Sequence, residues 1–140
     1  MLSISSYTQE YIDGVRAQID RTVETYEAVA ASASGPARAA FEPQLYNHLL
    51  LALDFYFGHR SRNMELKDGN ALNEMRMICT SLLQGDGRLL EDKQIRLKPA
   101  TRILGLRVGD EIALGGEGFA RLADAVYGEI AAKYPAPAPA

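Results

Sequence analysis

Four stretches of this chain repeat apolar residues every three or four positions, which places them on one face of an α-helix and sets a mainly helical fold. From Tyr7 the first series is Tyr11, Val15, Ile19, Val23 and Tyr26, with Glu10, Arg16, Asp20, Arg21, Glu24 and Glu27 between its members. Gly14 weakens this helix by about 1 kcal/mol relative to alanine. The break Ser32-Ala33-Ser34-Gly35-Pro36 leads to a second helix. It begins near Pro36 or Pro43, because proline is tolerated in a first turn, and continues to about Arg62. One side of it carries Leu45, Leu49, Ala52, Leu53, Tyr56 and His59, with Leu50 and Phe57 on one edge and Leu51 and Phe55 on the other. Only Asn47, Asp54, Gly58 and Ser61 form a polar or small stripe, so this helix is expected at the centre of its bundle or beneath a second subunit.

The third helix starts after Lys67-Asp68-Gly69-Asn70, where Asp68 or Asn70 can cap the first free amides, and stops at Gly85-Asp86-Gly87. Its inner side is Leu72, Met75, Ile78, Cys79, Leu82 and Leu83. Between Arg88 and Leu114 the helical period disappears. Gln94 to Lys98 and, less cleanly, Asp110 to Leu114 alternate polar with apolar residues, which predicts two short strands paired across the Pro99–Gly109 excursion. Thr101 to Leu104 suggests one helical turn inside it. The last helix runs from about Glu117 to Tyr134, with Phe119, Leu122, Ala123, Val126, Ile130 and Tyr134 inward, and Pro135 ends it. The expected architecture is an antiparallel four-helix bundle with a small two-stranded β appendage between helices three and four. Residues 1–134 form its single domain, followed by an Ala-Pro tail at 135–140 that favours an extended, solvated conformation.

Composition narrows the function classes. A chain of 140 residues with 47% hydrophobic content can bury a core without disulfides or a structural metal. The single cysteine, Cys79, fits a reducing compartment and reads as a small core residue, so a cytoplasmic location is expected. A net charge of −3 gives no overall attraction for nucleic acid, although Arg60, Arg62, Lys67 and Arg76 are a possible local basic face. The longest apolar run, Leu49 to Leu53, is far short of a membrane span, and the first residues lack the basic and apolar regions of a secretory signal.

Few constellations carry chemistry. His48 and His59 return to nearly the same face of helix two but lie about 16 Å apart along its axis, so they cannot share one ion. No metal or other cofactor is called for. Asp54 stands on the polar stripe with Asn47, and Tyr56, Arg60 and Asn63 stack one turn apart, where Arg60 either covers an aromatic ring or meets an anion. The stretch from Lys67 to Glu74 resembles a calcium loop only superficially, lacking the alternating acidic ligands and the closing glutamate. Glu74 and Arg76 are placed to join a buried network with Asp54 or Asn73 where helices two and three meet. Gly115-Gly116-Glu117-Gly118 precedes a helix without the strand or lysine of a phosphate loop and reads as a turn. Asn47, Asp54, His59, Arg60, Asn73, Glu74 and Arg76 are therefore the candidate polar site.

From Phe41 to Tyr134 the chain resembles a family of small, uncharacterised bacterial proteins, chiefly actinobacterial. The likeness rests on Leu45-Tyr46-Asn47-His48, Asp54-Phe55-Tyr56-Phe57-Gly58-His59-Arg60, the run from Lys67 to Arg76, Lys98-Pro99, and Ile103-Leu104-Gly105-Leu106. It implies a helical cytosolic protein and brings no activity with it. Two functions are carried forward: a module that self-associates as a homodimer or binds a protein partner through helix two, and an enzyme or small-molecule binder at the junction of helices two and three.

Overall fold

A computed structural model of the chain describes residues 6–58, 62–95, 97 and 102–136. Four helices pack against one another: α1 (Gln9–Ala30), α2 (Gly35–Tyr56), α3 (Ala71–Gln84) and α4 (Gly116–Lys133). Three begin on the capping chemistry their sequences offer. Thr8, Ser34 and Asn70 each accept a hydrogen bond from the amide three residues on, which satisfies one otherwise free donor. Pro36 occupies the first turn of α2, and Pro43 is carried within the helix. Helices α1 and α2 run antiparallel. The start of α1 meets the end of α2 through Tyr11 and Tyr56, and the end of α2 meets the middle of α3 through Asp54 and Arg76. Helix α1 also runs against α4, where Arg16 bonds Asp124.

The central helix is α3 rather than α2. Every residue from Ala71 to Cys79 is buried, on all faces of the helix, between α2, α4 and the loops on either side. Leu72, Met75 and Ile78 are sealed in the core, each contributing about 1.5–3 kcal/mol on burial. Helix α2 buries Tyr46, Leu49, Leu50 and Leu53, with Phe57 just beyond its end, while Phe55 on the opposite side stays 80% exposed. It stops at Tyr56, short of the expected Arg62, and a single 3-10 turn occupies Arg62–Glu65. The sequence hides this ending because apolar residues continue through Phe57.

The expected β appendage does not form: among the described residues there are no strands. The backbone makes only isolated bridges, Arg88 with Glu111 and Tyr7 with Pro135. Residues Asp110 to Leu114 are extended, with Ile112 and Leu114 turned inward, which is why they alternate in sequence. Among the described residues, Gln94, Ile95 and Leu97 are not their backbone partners. On one side Ile112 N–H donates to Gly87 O at 2.7 Å and Leu89 N–H to Asp110 O at 2.9 Å. On the other the Asn47 amide takes the place of a strand, donating from Nδ2 to Ile112 O at 2.9 Å and accepting from Leu114 N–H at 3.2 Å. Arg96 and Lys98 of the other predicted strand lie outside the described residues, as does Thr101. Ile103 and Leu104 form a bend rather than a helical turn.

Candidate functional site

Besides Asn47, which holds Ile112 and Leu114, the predicted polar residues that are described divide into three separate ties, each fixing a loop to the helical core. The tightest is built on Arg76. Its guanidinium has five N–H donors, and all are used. Nη1 reaches Asp54 Oδ1 at 2.5 Å and Asp54 O at 3.2 Å; Nη2 reaches Phe57 O at 2.9 Å and Glu65 Oε1 at 2.6 Å; Nε reaches Glu65 Oε1 at 3.1 Å. Two of these acceptors are free carbonyls at the end of α2, a helix with no basic residue in its own last turn. Arg76 therefore closes the negative end of α2 from the neighbouring helix. Burial disfavours its charge, but the bonds to Glu65 and the charges of Glu65 and Asp54 outweigh this and raise its pKa above the ordinary arginine value.

The second tie is Glu74, 2% exposed, whose two carboxylate oxygens accept the successive backbone N–H groups of Ile103 and Leu104, each at 2.9 Å. The third is Asn73. Its Oδ1 accepts from Gly69 N–H at 3.0 Å and its Nδ2 donates to Leu66 O at 2.9 Å, holding a turn in which Leu66 and Gly69 both have positive φ. Arg76 and Asp54 thus meet as expected, whereas Glu74, Asn73 and Asn47 each face a different loop. His59 and Arg60 lie outside the described residues. His48 is exposed, its Nδ1 2.6 Å from Gln44 O one turn back. Cys79 is buried with its thiol pKa pushed up by burial, and Sγ–H points at Leu50 O at 3.5 Å. Among the described residues, no group of three His, Cys, Asp or Glu side chains is placed to hold a metal ion.

The open spaces lie elsewhere. A cavity of about 550 Å³ under the 89–108 loop is walled by Met77, Leu89, Ile95, Leu97, Leu106 and Val108. Arg102 also lines it, with Nη1 donating to Leu106 O. Residues 98–101 lie outside the described residues. A second cleft, of about 250 Å³, runs between α1 and α4 and is walled by helical residues together with Tyr46 of α2. Its floor is Ile19, Val23, Phe119 and Ala123; Arg16, Asp20, Glu24 and Asp124 stand around it; Tyr127 lines it. Gly116 lets Tyr46 close in, since a Cβ there would stand 3.0 Å from the Tyr46 hydroxyl. Of the predicted residues, the five that are described, Asn47, Asp54, Asn73, Glu74 and Arg76, line neither space.

Tyr127 is the unusual member of this cleft. It is 5% exposed, and its buried hydroxyl has no hydrogen-bond partner among the described residues. Burial, reinforced by the charge of Asp20, pushes its pKa up to about 12. The Arg16 guanidinium lies 4.9 Å from its ring centre and bonds Asp124. Comparison with protein-family models, curated proteins and solved structures finds no match. Sequence reasoning missed this cleft and the partner role of Glu65. Glu65 sits between Met64 and Leu66 in an aperiodic loop, where nothing marks a buried carboxylate. Tyr127 did carry a signal, because it falls among the inward residues of α4 and a tyrosine there needs a partner for its hydroxyl.

Proposed function

We propose that this chain is a binding module that takes a small organic ligand in the cleft between α1 and α4. The observation that carries the reading is the cleft itself, an open space of about 250 Å³ whose apolar residues Ile19, Val23, Phe119 and Ala123 stand beside the charged Arg16, Asp20, Glu24 and Asp124. The reading places no reaction at the junction of helices two and three, because Asp54, Asn73, Glu74 and Arg76 are bonded to the chain's own groups. Among the described residues no helix is long and apolar enough to cross a membrane. Within this proposal the protein works in the cytoplasm, where a lone thiol such as Cys79 persists. The test is a titration of ¹⁵N-labelled protein with three compounds sharing one phenyl body: 2-phenylethylamine, 2-phenylethanol and phenylacetate. Saturable shifts at α1 and α4 amides with at least one of them support the reading; none with any of the three overturns it.

Self-association is a second reading, supported by Phe55 and Phe41, which remain 80% and 49% exposed on α2. Light scattering at high micromolar concentration is expected to give a dimer mass that falls to the monomer in Phe55→Ser. A monomer in the unsubstituted chain overturns it.

A further inference from the structure

We infer that the cavity under the 89–108 loop binds a small organic carboxylate with an aliphatic body, its head group held by Arg102. This site shares no lining residue with the α1–α4 cleft and stands independently of the function proposed there. Its volume, about 550 Å³, falls within the roughly 300–1,000 Å³ usual for small-molecule sites. The apolar side chains that line it, Met77, Leu89, Ile95, Leu97, Leu106 and Val108, include no aromatic ring, which suits an alkyl chain. Met77 and Leu89 belong to the buried core, and the backbone of Leu89 is bonded to Gly109 and Asp110, so this part of the wall is fixed. Val108 is 60% exposed, apolar surface that a bound chain would cover.

Arg102 sets the head group. Arg16, Arg38 and Arg76 are each ion-paired with carboxylates. Among the described residues Arg102 has no such pair, and one of its five N–H donors is used, from Nη1 to Leu106 O at 2.9 Å. Nε is sealed off without an acceptor, so a ligand meets the guanidinium at its terminal nitrogens, where a carboxylate accepts charge-assisted hydrogen bonds. Glu74 positions this residue by holding the amides of Ile103 and Leu104, the next two in the chain. Three other charged residues line the space. Asp92 Oδ1 already accepts from the amides of Gln94 and Ile95, while Glu91 and Lys93 are exposed. The lining therefore has no net positive charge. Contact with Arg102 rather than the wider field selects the anion, which favours one carboxylate over a doubly charged phosphate.

The test is a titration of ¹⁵N-labelled protein with octanoate, octanol and octylamine, which share one chain. Octanoate is expected to give saturable shifts at the Leu89, Leu106 and Val108 amides and to bind about ten-fold more tightly than octanol, with octylamine weakest. Hexanoate, two methylenes shorter, is expected to bind about ten-fold more weakly than octanoate. Arg102→Met keeps an apolar stem and is expected to weaken octanoate about ten-fold while leaving octanol within about two-fold, the octanol value showing that the cavity is intact. If that variant does not fold, the comparison of the three head groups in the parent chain decides alone. If octanol or octylamine binds at these amides as tightly as octanoate, or if Arg102→Met keeps the full preference for octanoate, the carboxylate assignment fails. If octanoate shifts none of the three amides, the cavity is no binding site. Shifts confined to α1 and α4 report the other cleft, and overturn this inference while leaving the function proposed above in place.

Discussion

Arg76, in the middle of α3, holds its Nη1 2.5 Å from the Asp54 carboxylate and closes the end of a different helix. The same guanidinium bonds Glu65, whose side chain is 5% exposed, so one residue joins α2, α3 and the loop between them. Removing one partner of a buried ion pair leaves the other charge uncompensated, at about 3–5 kcal/mol. Arg76→Ala is expected to lose that much in urea unfolding. Arg76→Lys keeps the charge but offers three donors in place of five, and should fall between the two. An Arg76→Ala protein within 1 kcal/mol of the parent in that range would contradict the account.

Glu74 anchors the 102–106 loop through two backbone amides, which gives its substitution a local signature. Glu74→Gln keeps an acceptor for one of them and should cost about 1–2 kcal/mol; Glu74→Ala frees both and should cost about 3 kcal/mol. Hydrogen exchange should quicken first at Ile103 and Leu104, before α2 or α4 responds. Uniform acceleration across the bundle would show that the contact does not fix this loop.

Two glycines should respond in opposite directions to alanine. A Cβ at Gly85 would stand 2.7 Å from Arg88 O and 2.9 Å from Ser81 O, backbone atoms that cannot step aside. Gly85→Ala is therefore expected to destabilise by about 1–3 kcal/mol. At Gly14, inside α1, nothing lies within 4 Å of the added carbon. Gly14→Ala should stabilise by about 0.5–1 kcal/mol through helix propensity and the less flexible unfolded chain. Thermal unfolding midpoints compare the pair directly.

Alkaline pH provides a fourth test. Burial, with the nearby Tyr11 adding to it, pushes the Tyr7 pKa up to about 12, matching the value for Tyr127. An unfolded tyrosine titrates near 10, so as pH rises the unfolded chain loses these protons first and binds fewer than the folded one. Stability is then undiminished below pH 10 and falls as pH climbs from 10 to about 12. Urea midpoints at pH 9, 10 and 11 should decline, and less steeply in Tyr127→Phe. A flat profile in the parent chain rules out the raised values.

The four helices were legible because their stripes, caps and glycine stop are local signals. Asn70 is a helix N-cap at the expected place, and Phe119 to Ile130 form the inner side of α4 as read. The identity of the central helix was not legible. Asn73, Glu74 and Arg76 make α3 look half-polar, yet loops that cover those side chains bury them, and only the tertiary fold brings the loops there. The same cause produced the strand expectation at Ile112 and Leu114: alternation records which side chains point inward, not what pairs with the backbone. Of the polar site, only the meeting of Asp54 with Arg76 followed from helix order. Glu65 and the α1–α4 cleft depend on segments distant in sequence.

The two ends of the described chain are bonded to each other. Tyr7 N–H donates to Tyr134 O at 2.7 Å, Ala136 N–H donates to Tyr7 O at 3.0 Å, and the Tyr7 ring packs edge-on against Phe57 and Tyr134. In mechanical terms the polypeptide is a ring fastened by a clasp. Tension applied between residues 7 and 136 loads these two hydrogen bonds before it reaches α1 or α4. The force at which the molecule yields is then set by the clasp and its aromatic cover rather than by the helices it joins.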